Sequence, residues 1–318
     1  MKIGYFLSSE EWGPQNLIAQ AVKARAAGFD GLWISDHYHP WNDEQGHSPF
    51  VWSTIGAIAH AAPGMKVTTP VTCPTIRIHP AVIAQAAAMS AVLLGGNFGL
   101  GVGSGEALNE HILGDAWPEA DERLEMLEEA VEVIRTLWQG GGRDHRGRHY
   151  RVAHARIYDL PDAPPPIIVS GFGPKAIELA GRIGDGFCTV GPDADAVKQF
   201  RGSGGGGKVV QGGLKVCWDD DEARARQTVH RLWPNEGLPG ELAQILPTPE
   251  HFEQASKLVT EDMVAEDTPC GPDVERHVAA IRAYEEARFD ELYVNPIGPG
   301  QDAFFEAYRD EVLPRLGR

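Results

Sequence analysis

Positive charge is scarce in this sequence. Of 318 residues, 28 are Lys or Arg against 45 Asp or Glu, for a formal net charge of −17. A nucleic-acid partner needs a basic footprint to neutralise phosphates, so this balance argues against one. Cysteine is scarce too. Cys73, Cys188, Cys217 and Cys270 are far apart and form no C-x-x-C pair. That leaves neither the spacing of a zinc site nor a disulfide framework, and no metal is expected. Cys188 and Cys217 lie in apolar runs, as buried free thiols do. No apolar run approaches the roughly 18 residues of a membrane span, so no membrane partner is expected. The opening MKIGYFLSSEEW turns acidic early and has no long apolar core before a small-residue cleavage site, which predicts a cytoplasmic protein. The phosphate-binding loops are missing as well. No Gly-Lys-Ser/Thr follows a glycine turn, and Gly101, Gly103 and Gly105 fall at every second position instead of in G-x-G-x-x-G order.

What is present is alternation. Short apolar runs at 2–7, 31–35, 65–72, 98–102, 167–170, 186–189, 212–216 and 291–294 read as strands. Helical spacing fills 17–27, 50–61, 81–94, 118–139, 175–182, 194–201, 221–233, 273–288 and 303–313. Strands that are apolar throughout are buried on both faces, as in parallel sheets covered by helices. Eight such units predict a single-domain α/β protein, a (β/α)8 TIM barrel over 1–318, in preference to an open doubly wound sheet. Two segments break the period and read as insertions, 140–166 with a hairpin at its HYRVAHARIYDL end, and 234–268. The glycine run at 202–207 reads as a mobile loop. The acidic positions Glu119, Asp121, Glu122, Glu125, Glu128 and Glu129 read as the solvated face of a helix.

In such a barrel the chemistry sits where strands end, because the strand-to-helix loops build the C-terminal face. Ser8, Ser9 and Glu10 follow the first strand, and Asp36, His37, His39 and Trp41 the second. Cys73, Thr75 and Arg77 follow the third, Ser104, Gly105, Glu106 and Asn109 the fourth. Gly171, Phe172 and Gly173 follow the fifth, and Thr189 and Gly191 close the sixth. His37 beside Asp36 is the side chain best suited to proton transfer near neutral pH. Glu106 follows a glycine turn whose backbone can approach a ligand closely.

Together SDHYHPW, TCPTIRIHPAVIAQA, GVGSGEALNE, AWPEADER and GRIGDGF, in that order, resemble the F420-dependent branch of the luciferase-like barrel oxidoreductases. The nearest subgroup is the one that contains F420-dependent glucose-6-phosphate dehydrogenase. The resemblance implies coenzyme F420 as cofactor, with FMN and oxygen chemistry as the flavin alternative, and a homodimer. It implies His37, Glu106, Trp41 and Glu10 as the catalytic set. His37 acts on the substrate oxygen, Glu106 serves the ring nitrogen, and Trp41 and Glu10 flank the carbinol. It assigns Asp36, Val71, Cys73, Ser104, Gly105, Asn109, Gly171, Phe172 and Gly173 to the cofactor and Thr189 to the substrate. It also implies a cis peptide in the third strand at Pro70-Val71, with Thr69-Pro70 as a rival. One implied feature is absent. The positions of a phosphate clamp hold Pro192 and Val264-Ala265-Glu266-Asp267, and 234–256 contains no Lys or Arg. A phosphate dianion would lack charge-assisted partners there. The expected substrate is therefore a neutral alcohol, aldehyde or ketone, unless Lys208 or Lys257 replaces the clamp. Arg77, Lys175 and Arg182 are candidates for the anionic cofactor tail. A non-catalytic cofactor-binding barrel is the remaining alternative.

Overall fold

The computed structural model describes residues 1–317, and eight parallel strands in it close into a barrel. They are β1 (Lys2–Leu7), β2 (Gly31–Ile34), β3 (Lys66–Thr68), β4 (Phe98–Val102), β7 (Ile167–Ser170), β8 (Gly186–Val190), β9 (Val209–Val216) and β10 (Glu291–Pro296). β5 (Arg143–Arg146) and β6 (Arg151–Ala155) form a separate antiparallel hairpin. Around the barrel the strands follow chain order, and β10 pairs back with β1. Helices cover the outside, among them α1 (Pro14–Ala26), α2 (Val51–Ala61), α3 (Pro80–Leu93), α4 (Ala107–Glu110), α5 (Ala120–Trp138), α6 (Pro174–Ile183), α7 (Ala194–Phe200) and α8 (Glu222–Leu232). α9 (Leu242–Ile245), α10 (Pro249–Ser256) and α11 (Glu261–Ala265) make up the later insertion, before α12 (Val274–Glu286) and α13 (Gln301–Ala307). Among the described residues no helix is long and apolar enough to cross a membrane.

Strand alternation decides where the site can be. Outward side chains such as Leu32, Ile34, Leu100, Val102, Val169 and Phe187 pack under the helices. Inward side chains plug the lumen. Trp33 and Tyr293 stack at 4.6 Å, Phe6 meets Trp33 edge-on at 5.5 Å, and Ile168 and Cys188 close the layer. Beneath it Glu291 accepts hydrogen bonds from Lys66, Gln211 and Tyr293. The lumen is packed, and open chemistry is left to the C-terminal mouth. Acidic N-caps fix several mouth-side helix starts: Asp193 on α7, Asp221 on α8 and Asp273 on α12. Each such cap stabilises its helix by about 1 kcal/mol.

Four sequence expectations need correction. The third strand is not continuous over 65–72. It stops at Thr68, bulges through a cis Pro70-Val71 bond and rejoins the sheet at Thr72 beside Val102. The hairpin lies earlier than HYRVAHARIYDL suggests, because Arg143–Arg146 supplies its first strand. The glycine run is not a loose loop. Arg201–Gly205 forms a turn against α6, Gly205 is buried, and a Cβ on Gly181 would collide with Ser203. The last helix breaks its regular ladder at Tyr308–Val312.

Candidate active site

The floor of the mouth lies two residues beyond each member of the lumen plug. Phe6 leads to Ser8, Trp33 to Ser35, Ile168 to Ser170, Cys188 to Val190, Gly213 to Lys215 and Tyr293 to Asn295. The period of two makes each pair share a face. On the β1–β2 side the floor is built to hold Glu10. Its Oε2 accepts hydrogen bonds from Ser8 Oγ and Ser35 Oγ, each at 2.9 Å. Its Oε1 faces His37 Nδ1 at 3.6 Å. The same Nδ1 lies 3.3 Å from the His39 carbonyl, which accepts from it. Nε2 of His37 makes no hydrogen bond among the described residues. Trp41 packs edge-on to His37 at 5.1 Å.

Asp36 is buried and held on both oxygens. Thr72 Oγ1 donates to one at 2.8 Å and Arg77 Nη2 to the other at 3.0 Å. Arg77 also gives its backbone N–H to Glu110 at 2.7 Å and lies 3.4 Å from it through Nε. Burial pulls the Arg77 pKa down, but the two carboxylates outweigh it and hold the guanidinium above its ordinary value. Burial raises Glu110, and Arg77 offsets part of that rise. Arg77 is thus internal to the site and does not reach out for a cofactor tail.

The β3–β4 side is built from missing side chains. Gly99, Gly101 and Gly103 all point inward on β4, which explains their spacing. A Cβ on Gly101 would lie 1.6 Å from the Thr69 carbonyl, and one on Gly103 2.6 Å from Val71. The bulge of β3 fits against these glycines and puts Val71 beside the lumen plug. Gly105 has φ +81°, and a Cβ there would lie 2.5 Å from Cys73 Sγ. Burial pushes the Cys73 thiol well up, so it is no nucleophile. Ser104 and Glu106 are partly exposed at this turn. Beyond β7, Gly171 is buried, Phe172 is exposed, and α6 starts at Gly173 without a side-chain cap.

The 234–268 insertion forms a wall on the β2 loop. Asn42 and Gln45 side chains donate to the Leu232 carbonyl, and Phe252 packs edge-on to Trp41 at 5.1 Å. Trp233 Nε1 donates to Glu11, whose other oxygen accepts from Gly298 N at 2.9 Å. Burial raises Glu11 to about 7 despite those bonds. Lys215 Nζ sits 4.5 Å above the Trp233 ring and 3.1 Å from Glu236.

The structure thus joins His37, Trp41 and Glu10 by direct contacts, holds Asp36 next to them on Thr72 and Arg77, and sets the glycine turn with Glu106 beside the β2 loop. Asn109 links the two. Its Oδ1 accepts from Tyr38 and His39 N–H and its Nδ2 lies 3.4 Å from Glu106, so its side chain is a buried clip between the two loops. Thr189 is buried near the end of β8, between Cys188 and Val190. Lys208 donates to the Gly181 carbonyl at the opposite end of β9 from the mouth and cannot replace a clamp there. Lys175 is paired with Asp121 and Arg182 with Glu128. Lys257 is exposed at the end of α10. Sequence reading missed Glu11, Trp233, Phe252, Lys215 and Asn295. Strand alternation carried a signal for the last two.

An eight-stranded closed barrel with a bulged third strand and an acid–imidazole pair at its mouth places the chain in a defined class. A model of the luciferase-like monooxygenase family matches residues 1–291, and the chain belongs to that family. Within it, the chain is 35% identical to the F420-dependent glucose-6-phosphate dehydrogenase of Amycolatopsis mediterranei, over 99% of this chain and 98% of the relative. The enzyme of that name from Beutenbergia cavernae is 36% identical over 99% and 97%. Among solved structures, an F420-dependent secondary alcohol dehydrogenase in complex with an F420-acetone adduct superposes with TM-score 0.92 at 28% identity, over 98% of each chain. The coenzyme F420 dependent tetrahydromethanopterin reductase from Methanopyrus kandleri shares the fold, with TM-score 0.79 at 20% identity.

Proposed function

We propose that the chain is an F420-dependent oxidoreductase that moves hydride between a deazaflavin and an uncharged CH–OH or C=O substrate. The observation that carries this reading is the Glu10–His37 pair at the barrel mouth, with a glycine-lined turn beside it that Asn109 ties to the His39 loop. The residues fit the cofactor. The β4 glycines let the β3 bulge pack close and place the apolar Val71 side chain where a flat ring can lie against it, and Ser104, Gly105 and the uncapped start of α6 offer backbone amides to anionic groups. When bound, the deazaflavin supplies a ring carbon that gives or accepts hydride. Glu10 orients His37 through Nδ1, leaving Nε2 to hold or receive the proton of the substrate oxygen. Glu106 holds a proton on the cofactor side, and Asn109 fixes its distance from the His39 loop. Trp41, backed by Phe252, keeps water from the reacting carbon.

Relatives named for glucose 6-phosphate favour a second reading, a sugar-phosphate dehydrogenase. Against it stand Pro192, Glu266 and Asp267 at the clamp positions and the misplaced Lys208. Homodimer formation through α3 and a cytoplasmic location belong to the same proposal. The test mixes the protein with oxidised F420 and a panel of alcohols and follows bleaching of the deazaflavin band. His37→Ala is expected to lower kcat by about 100- to 10,000-fold, the usual worth of a general acid–base group, with F420 affinity kept. Equal turnover by His37→Ala, or no bleaching with any alcohol, would sink the reading. Efficient turnover of glucose 6-phosphate would replace it with the second.

A further inference from the structure

One group in the floor of the mouth is used by nothing else in the chain. Asn295 has no solvent exposure, and neither its amide nitrogen nor its amide oxygen has a hydrogen-bond partner among the described residues. Burying an unmet polar group is costly, so an amide kept there calls for a partner. Its place is fixed by register. Asn295 lies two residues beyond Tyr293 and opposite Lys215 on β9. Lys215 reaches to the Trp233 ring and to Glu236 on the insertion. Asn235, in the same turn as Glu236, also buries an unpartnered side-chain oxygen. This side of the mouth offers donors and acceptors together, with Lys215 already matched by a carboxylate.

We propose that Asn295 and the adjoining Lys215–Glu236 pair bind hydroxyl groups of the substrate remote from the reacting carbon, so that the substrate is an uncharged polyol or sugar. The proposal rests on reading the site as a deazaflavin dehydrogenase. Hydrogen-bond chemistry selects the class. A carboxylate or phosphate dianion only accepts; it would leave the Asn295 oxygen unmet and lie near Glu236. A hydrocarbon alcohol would leave both ends of the amide unmet. A hydroxyl both donates and accepts, and a vicinal pair can satisfy the two ends at once. Lys215, with Glu236 as counter-ion, does not supply the uncompensated charge that a dianion needs. Asn295 has no solvent contact, so ligand entry requires its neighbours to move. The Lys215 arm, held at its tip by the insertion, is placed to do so.

The test measures F420 reduction by D-glucose and glycerol as polyol probes, propan-2-ol as the plain alcohol and glucose 6-phosphate as the dianion. Wild-type kcat/KM is expected to be higher for the better polyol than for propan-2-ol. Asn295→Leu is expected to lower that ratio about tenfold or more, the scale of one to two lost hydrogen bonds. Lys215→Met is expected to lower the same ratio, and it serves as the independent check if Asn295→Leu does not fold. A wild-type preference for propan-2-ol, a preference for glucose 6-phosphate over D-glucose, or an unchanged ratio in the variants would overturn the inference while leaving a deazaflavin dehydrogenase in place. If the wild type reduces F420 with none of the four, the underlying reading falls and the inference with it.

Discussion

Arg77 stands between Asp36 and Glu110, and its loss strands two buried carboxylates. Arg77→Met is expected to destabilise the protein by about 3–5 kcal/mol, the cost of breaking a buried ion pair from one side. Urea unfolding of the variant at pH 7 checks it, and a loss under 1 kcal/mol would contradict this account of the cluster. Glu11 makes a pH-dependent contribution of the opposite kind. Its folded pKa is raised to about 7, above the ordinary carboxyl value of 4.5. The folded state therefore binds the proton more tightly, and Glu11 favours folding most at low pH. That contribution is lost as pH rises from about 4.5 to about 7 and stays lost above it. The stability difference between wild type and Glu11→Gln, followed across pH 4–8, is expected to fall through that window; a flat difference curve would show that Glu11 does not titrate there. The sequence did show some of the site at this scale. Asp36, His37 and Glu106 follow strands, and that alone marks them. Glu11 follows β1 at the offset at which Glu106 follows β4, but its burial depends on Trp233, 222 positions away, which no local pattern shows. Lys215 lay within the strand read at 212–216 but its partners Trp233 and Glu236 lie on a distant segment, and an Asn at a strand end looks like any turn residue.

Between elements, the sharpest constraint is the fit of β4 against the bulge of β3. Gly101→Ala places a methyl 1.6 Å from the Thr69 carbonyl, so one of the two strands must shift. F420 affinity is expected to fall at least tenfold by titration, with the far-UV CD spectrum kept; unchanged affinity would separate the bulge from cofactor binding. The sequence showed glycines at every second position but could not say what they face, because the answer lies on another strand. Helix α3 raises a different matter. It has no charged residue, and Val82, Met89, Val92 and Leu93 are exposed along it. An exposed apolar face of that kind marks an interaction site, and it is the face through which the proposed homodimer would form. Leu93→Glu is expected to turn a dimer into a monomer in light scattering behind size exclusion; a wild-type monomer would remove α3 from consideration. The bounds of β1, β4 and β7 follow directly from the apolar runs. The bounds of β3 do not, since a continuous apolar run conceals where the chain leaves the sheet.

For the whole molecule, barrel closure was legible because eight buried strands alternating with helices leave few other ways to cover both faces. The net charge of −17 bears on encounter with the cofactor. The outer cations Lys175 and Arg182 are matched by carboxylates, so a cofactor with an anionic tail approaches against a repulsive field. Its association rate is expected to rise as salt increases from about 20 to 200 mM, where screening shortens below the size of the protein. Stopped-flow mixing checks the sign, and a rate that falls with salt would reveal a local basic path.

The 234–268 segment leans on Trp41 through Phe252 and on Asp43 through Glu253, while the recorded partners of Asp36, His37 and Glu106 among the described residues lie outside it. That separation has a consequence for descent. On the proposed reading the redox groups lie outside this segment, while the substrate side is shared between it, through Asn235 and Glu236, and the strands that carry Lys215 and Asn295, so the segment can drift at its own pace. A lineage can rewrite one contiguous segment and acquire a new metabolite while inheriting the hydride chemistry intact.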